Sequence, residues 1–214
     1  MAVLLTIGTV ASFDALQEFD DAITDFTRSW ADSLGWPVDV AHVVSELTGP
    51  VPATIFATIA AVALFATRFR AAAVYVALSS ISGALVVEIT KLSVGRSRPP
   101  GAEAYQQDLE KSFPSGHSAG GIYLYLVLGL VLWRIGSANG RPWLRWIGAA
   151  LVVFGPFIGV CRLILGVHWP TDIVAGWAFG SIAALAVALV LWQALASGWR
   201  PGAQPPPPPS TPQP

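Results

Sequence analysis

Three polar clusters interrupt an otherwise apolar sequence, and each carries residues that could do chemistry. Lys91-Leu92-Ser93-Val94-Gly95-Arg96-Ser97-Arg98-Pro99 holds three cations. Phe113-Pro114-Ser115-Gly116-His117-Ser118 places a histidine where a polar loop enters an apolar run. Arg162-Leu163-Ile164-Leu165-Gly166-Val167-His168-Trp169-Pro170-Thr171-Asp172 combines arginine, histidine and aspartate. The chain has only three histidines, and two of them lie in these clusters. Ionisable groups at the edge of a membrane-length segment are costly and are candidates for function by default.

Brought to one face, Lys91, Arg98 and Arg162 would repel one another unless an anion sat among them. A forked guanidinium matches phosphate oxygens, and an ammonium adds a point charge. Ser115 and Gly116 stand at the start of a predicted helix, where open N–H groups and the dipole also favour an anion. Two histidines add reaction to binding: a neutral imidazole can attack phosphorus, and a protonated one can donate to the leaving oxygen. His168 and Asp172 are four residues apart, with Pro170 suited to the first turn of a helix. That spacing lets the carboxylate reach back to the ring. We therefore read His168 as nucleophile, Asp172 as its orienter and His117 as acid/base. Lys91, Arg98 and Arg162 would stabilise the transferring phosphoryl group. Ser115 as a hydrolase nucleophile is disfavoured, because no G-x-S-x-G elbow is present and three cations would be left without a role.

Other polar residues read more plainly. Arg96 is off the pattern and is expected to be an interfacial anchor. Glu88 either pairs with Lys91 or faces a polar cavity. Tyr105, Gln106 and Gln107 are expected to be solvated loop residues, and His42 a solvated or interfacial side chain. Cys161 is the single cysteine, which excludes an intramolecular disulfide and a multi-cysteine metal site, and it reads as a small packed residue.

The elements that must position these clusters are membrane spans. Of 214 residues, 54% are hydrophobic and 12% charged, with a mean hydropathy of +0.59. A soluble domain averages about 25% charged residues, so the chain reads as one all-α polytopic membrane domain over residues 1–200. Spans are predicted at 51–67, 71–90, 118–133, 146–160 and 172–192. Residues 1–12 are too short to cross alone and read as a shortened first helix. Residues 13–47 hold eight acidic side chains and one basic one, Arg28. Their apolar residues Phe13, Leu16, Phe19, Ile23, Phe26 and Trp30 recur at helical spacing. This predicts an amphipathic surface helix on the extracytoplasmic side. Residues 201–214 are proline-rich and expected to be disordered. Trp133, Trp143, Trp146 and Trp199 on one face, and Trp30, Trp36 and Trp169 on the other, are expected to form two aromatic belts. No basic patch exists outside the clusters, so nucleic-acid binding is unsupported.

K-x6-R-P from Lys91 to Pro99, P-S-G-H from Pro114 to His117 and R-x5-H-x3-D from Arg162 to Asp172 resemble the three signatures of the type 2 phosphatidic acid phosphatase superfamily, in its bacterial membrane branch. The resemblance covers about residues 47–192, with all three motifs in order. It implies a six-helix transmembrane bundle in the plasma membrane, a phosphohistidine intermediate and no metal or other cofactor. It also implies a lipid phosphate substrate such as undecaprenyl diphosphate, phosphatidylglycerol phosphate or phosphatidic acid, met among membrane lipids at the extracytoplasmic face. Cys161 stands where the family's third motif usually opens with serine. Two further classes were weighed. A non-catalytic phospholipid binder or transporter would need only the cations, and a vanadate-dependent oxidase would be expected in a soluble helical domain.

Overall fold

The computed structural model describes residues 14–105, 111–197 and 199. The expectations for residues 1–12, Gln106, Gln107 and the tail 201–214 lie outside the described residues. Within them the chain is helical, without a strand. The helices are α1 (Asp14–Leu34), α2 (Trp36–Leu47), α3 (Pro50–Ala66), α4 (Arg70–Val94), α5 (Gly116–Ala138), α6 (Pro142–Ile164), α7 (Pro170–Val190) and a short α8 (Trp192–Ser197). Prolines 50, 142 and 170 each occupy the first helical position, where no N–H is required. Gly95 ends α4 in the left-handed conformation, at φ 59°.

Helices α4 to α7 are 25, 23, 23 and 21 residues long and apolar enough to cross a membrane. At about 1.5 Å per residue, each reaches across a hydrocarbon core of about 30 Å. Helix α3 has 17 residues and passes the same test only together with α2, from which it is bent by 58°. The predicted surface helix over 13–47 is two helices, because Gly35 breaks it at φ 73°. Helix α1 leaves Phe19, Phe26 and Trp30 exposed and buries a neighbouring stripe of Asp20, Thr24 and Ala31.

Lipid tails are as apolar as leucine, so helices in a membrane associate through close packing of small residues. Here Gly121 of α5 faces Gly155 of α6, and Gly129 faces Gly148; a methyl group at any of the four would strike the opposite backbone. Around this contact Val76, Leu124, Val127, Val131 and Ile158 form the core. Between residues 121 and 126, α5 runs as a π-helix, just after the turn that bears His117. The C-terminal ends of α4 and α6 meet the N-terminal ends of α5 and α7 at one end of the bundle. At the other end Asn139 donates to the Trp199 carbonyl at 2.7 Å. Trp30, Trp36, Trp133, Trp143 and Trp146 are exposed. Trp169 departs from the expected belt: it is buried and donates its indole N–H to the Ser97 carbonyl at 3.0 Å.

Candidate active site

The alternation of helix directions brings the three clusters together. Gly116 approaches the Lys91 ammonium so closely that an added methyl group would lie 3.6 Å from Nζ. Ser115 N–H donates to the Asp172 carbonyl at 3.0 Å, which ties the start of α5 to the start of α7. The Ser115 side chain caps α5, accepting from Ser118 N–H at 3.3 Å and from the Ser118 hydroxyl at 2.9 Å. Gly176 of α7 lies against the Ser115 carbonyl with no space for a side chain. His117, Arg162, His168 and Lys91 fall within electrostatic range of one another. The N-termini of α5 and α7 meet the C-termini of α4 and α6 here, so their dipoles oppose and the positive potential rests on Lys91, Arg98 and Arg162.

His168 lies in the short connection between α6 and α7 and is 2% exposed. Arg98 Nη1 donates to the Val167 carbonyl at 2.8 Å and sits 3.0 Å from His168 Nε2. A guanidinium can only donate, so Nε2 presents its lone pair and the ring proton resides on Nδ1. That nitrogen is 3.5 Å from Asp172 Oδ2. The carboxylate is held elsewhere more tightly: Oδ2 accepts from Trp169 N–H at 3.0 Å, and Oδ1 from Arg96 at 2.8 Å. Ser112 lies beside the His168 ring through its backbone, and its hydroxyl donates to the Ser97 carbonyl at 3.0 Å. Burial, then the charges of Arg162, Arg98 and Lys91, hold the His168 pKa well below the ordinary histidine value. His168 is therefore neutral at pH 7.

His117 occupies the first turn of α5 and is partly open. Its Nε2 lies 3.2 Å from the Ser45 carbonyl. A carbonyl only accepts, so Nε2 carries a proton and Nδ1 is left for exchange. That carbonyl is available because α2 ends there: Gly49 N–H turns to Glu46, and Pro50 follows. The helix end thus finds its partner on another helix.

Arg96 is not an anchor. It is a partly buried bridge between Asp172 Oδ1 at 2.8 Å and Asp20 Oδ2 at 2.6 Å, stacked 5.3 Å from the Trp169 ring. Asp20, one acid in a strongly acidic helix, was not singled out by the sequence. The only local signal was that it shares a helix face with Thr24 and Ala31. Ser45 and Ser112 were missed as well, the first because its contact is a backbone carbonyl. Glu88 pairs with Lys91 at 3.6 Å, but it is 68% exposed and so faces no internal cavity. His42 is exposed beside the Tyr105 ring, and Cys161 is buried in packing.

A helical membrane bundle with a cationic, histidine-bearing cluster at one end defines a class, and comparison with known proteins places the chain within it. It belongs to the PAP2 superfamily, whose sequence model matches residues 71–196. Its fold matches the crystal structure of a transmembrane PAP2-type phosphatidylglycerolphosphate phosphatase from Bacillus subtilis, with TM-score 0.71, 22% identity and coverage of 88% of this chain and 93% of that one. A lipid A 1-phosphatase of Rhizobium johnstonii is 26% identical over 142 residues, 58% of this chain and 52% of the relative. An undecaprenyl-diphosphatase of Sulfolobus acidocaldarius is 28% identical over 136 residues, 59% of each. The chain thus spans little more than half the length of these curated relatives. All three clusters fall inside the matched residues; α1 and α2 fall outside them.

Proposed function

We propose that the protein is an integral-membrane lipid phosphatase that works through a phosphohistidine. The observation that carries this reading is the neutral His168, whose Nε2 lone pair opens toward Arg98 while Nδ1 faces Asp172. A phosphate bound among Lys91, Arg98 and Arg162 would take the place of the guanidinium at that lone pair. Nε2 attacks phosphorus, the ester or anhydride P–O bond breaks, and protonated His117 donates to the departing oxygen where a lipid alcohol leaves. Water then attacks the phosphohistidine and gives a proton to His117, releasing phosphate and restoring His168. The three cations carry the charge of the transferring group, and Ser115 and Gly116 close the pocket beside Lys91.

The names of the relatives support a lipid phosphate or diphosphate as substrate: undecaprenyl diphosphate, phosphatidylglycerol phosphate or phosphatidic acid. We place the site at the extracytoplasmic face of the plasma membrane. The acidic helix α1 lies at the same end as the clusters, and acidic segments are tolerated on that side. A cysteine at exposed Pro100 should then react with an impermeant maleimide in intact cells; labelling only after lysis would reverse the orientation.

Phosphate release from the three lipids by purified protein in detergent, with EDTA present, tests the activity. Release that disappears in His168→Ala is the expected result. A folded wild-type protein that releases nothing from any of the three would favour a phospholipid binder or transporter instead.

A further inference from the structure

We propose that α1 belongs to the reaction centre: Asp20, acting through Arg96, is a positioning residue for Asp172 and hence for His168. The inference rests on the phosphohistidine reading above and adds a part that lies outside the family match.

Of six acids on α1, Asp14, Glu18, Asp21, Asp25 and Asp32 are exposed, and Asp20 alone is buried, at 0%. Both of its carboxylate oxygens are hydrogen-bonded. Oδ1 accepts the Thr171 N–H at 3.0 Å, and Oδ2 accepts the Thr171 hydroxyl and Arg96 Nη2. The Thr171 amide is the first orphan donor of α7, since Pro170 has none, and the N-cap residue Trp169 has no side-chain acceptor. Asp20 therefore caps α7 from another helix.

Arg96 extends this contact to the site. Nη1 donates to both Thr171 Oγ1 and Asp172 Oδ1, each at 2.8 Å. One guanidinium thus serves two buried carboxylates. Asp20 draws part of its charge away, and Asp172 keeps Oδ2 turned toward Trp169 N–H and the His168 ring. With Asp20 neutral, the charge falls on Asp172 alone and draws it away from His168. Arg28 fastens the same helix a second time, donating to the Pro100 carbonyl at 2.8 Å and reaching the Gly166 carbonyl at 3.4 Å. These carbonyls belong to the loops that carry Arg98 and His168. Helix α1 therefore grips the first and third clusters at once.

A mere fold clamp would leave the kcat of folded Asp20→Asn unchanged, although the amide N–H₂ facing Arg96 lowers the melting temperature. A positioning role would lower kcat. Expected for Asp20→Asn and Arg96→Gln are a kcat about tenfold or more below wild type and a KM within about twofold in the folded protein, with the melting temperature lowered in both and Arg96→Lys partly restoring kcat. With only three histidines, their ring nitrogens are separable by 15N NMR of the full chain in detergent. The His168 signals should move in both variants while those of His42 stay. Unchanged His168 signals together with wild-type kcat would overturn the proposal. If wild type releases no phosphate, the lipid-phosphatase reading fails, and the ring signals still decide whether Asp20 reaches His168. Should Asp20→Asn fail to fold, Asp20→Glu provides the same two readouts with the charge kept and the geometry displaced.

Discussion

His168 and His117 are the same side chain with different partners and different degrees of enclosure. His168 is enclosed between α6 and α7, with Arg98, Ser112 and Asp172 around its ring. His117 stands on the first turn of α5, only partly enclosed, and is tethered by a backbone carbonyl of α2. A nucleophile needs one lone pair in one direction, and enclosure by several groups supplies that. A proton carrier must exchange protons with its surroundings, so a partly open ring on a single tether suits it. The difference between the two environments argues for the division of roles more strongly than either histidine alone.

Removing His168 should break the comparison outright. His168→Ala is expected to abolish both turnover and acid-labile 32P labelling of the protein. Retained turnover would transfer the nucleophile role elsewhere. His117→Ala should have the next largest effect. Loss of acid–base assistance costs about 10²–10⁴-fold in rate, and a slow 32P-labelled intermediate should still form. Loss of labelling comparable to that in His168→Ala would remove the distinction between the two rings.

The burial of His168 also carries a thermodynamic signature. The pKa of His168 lies well below its unfolded value, which is about 6.5. As pH falls through about 6.5, the unfolded chain takes up a proton that the folded chain does not, so folding stability is full above that range and declines below it. The melting temperature in detergent should therefore fall between pH 7.5 and 5, and fall less in His168→Asn. An equal fall in both proteins would mean that His168 is not the group responsible. The smallest effect belongs to Glu88. An exposed ion pair contributes about 0–1 kcal/mol, so Glu88→Gln should alter kcat/KM by no more than about fivefold. A larger loss would make Glu88 an orienter of Lys91 after all.

Much of this molecule was legible along the chain. Membrane spans depend on composition over some twenty residues, and their ends on proline, glycine and charge, so α4 to α7 could be placed within a few residues. The three clusters were legible because each packs its chemical groups into a short window at a helix end, and alternating spans bring such windows to one side. What surrounds the two rings depends instead on helices remote in sequence. Asp20 and Arg96 are 76 residues apart, and His117 and Ser45 are 72 apart. An acid on an acidic helix carries no mark of being the one that docks, and a backbone carbonyl carries no residue identity at all. Residue type and spacing determined which groups could react. Only the tertiary packing, that of α1 and α2 against the bundle included, decided which lone pair is presented, which proton can leave and which charge is shared, because hydrogen-bond direction and burial are properties of position in space.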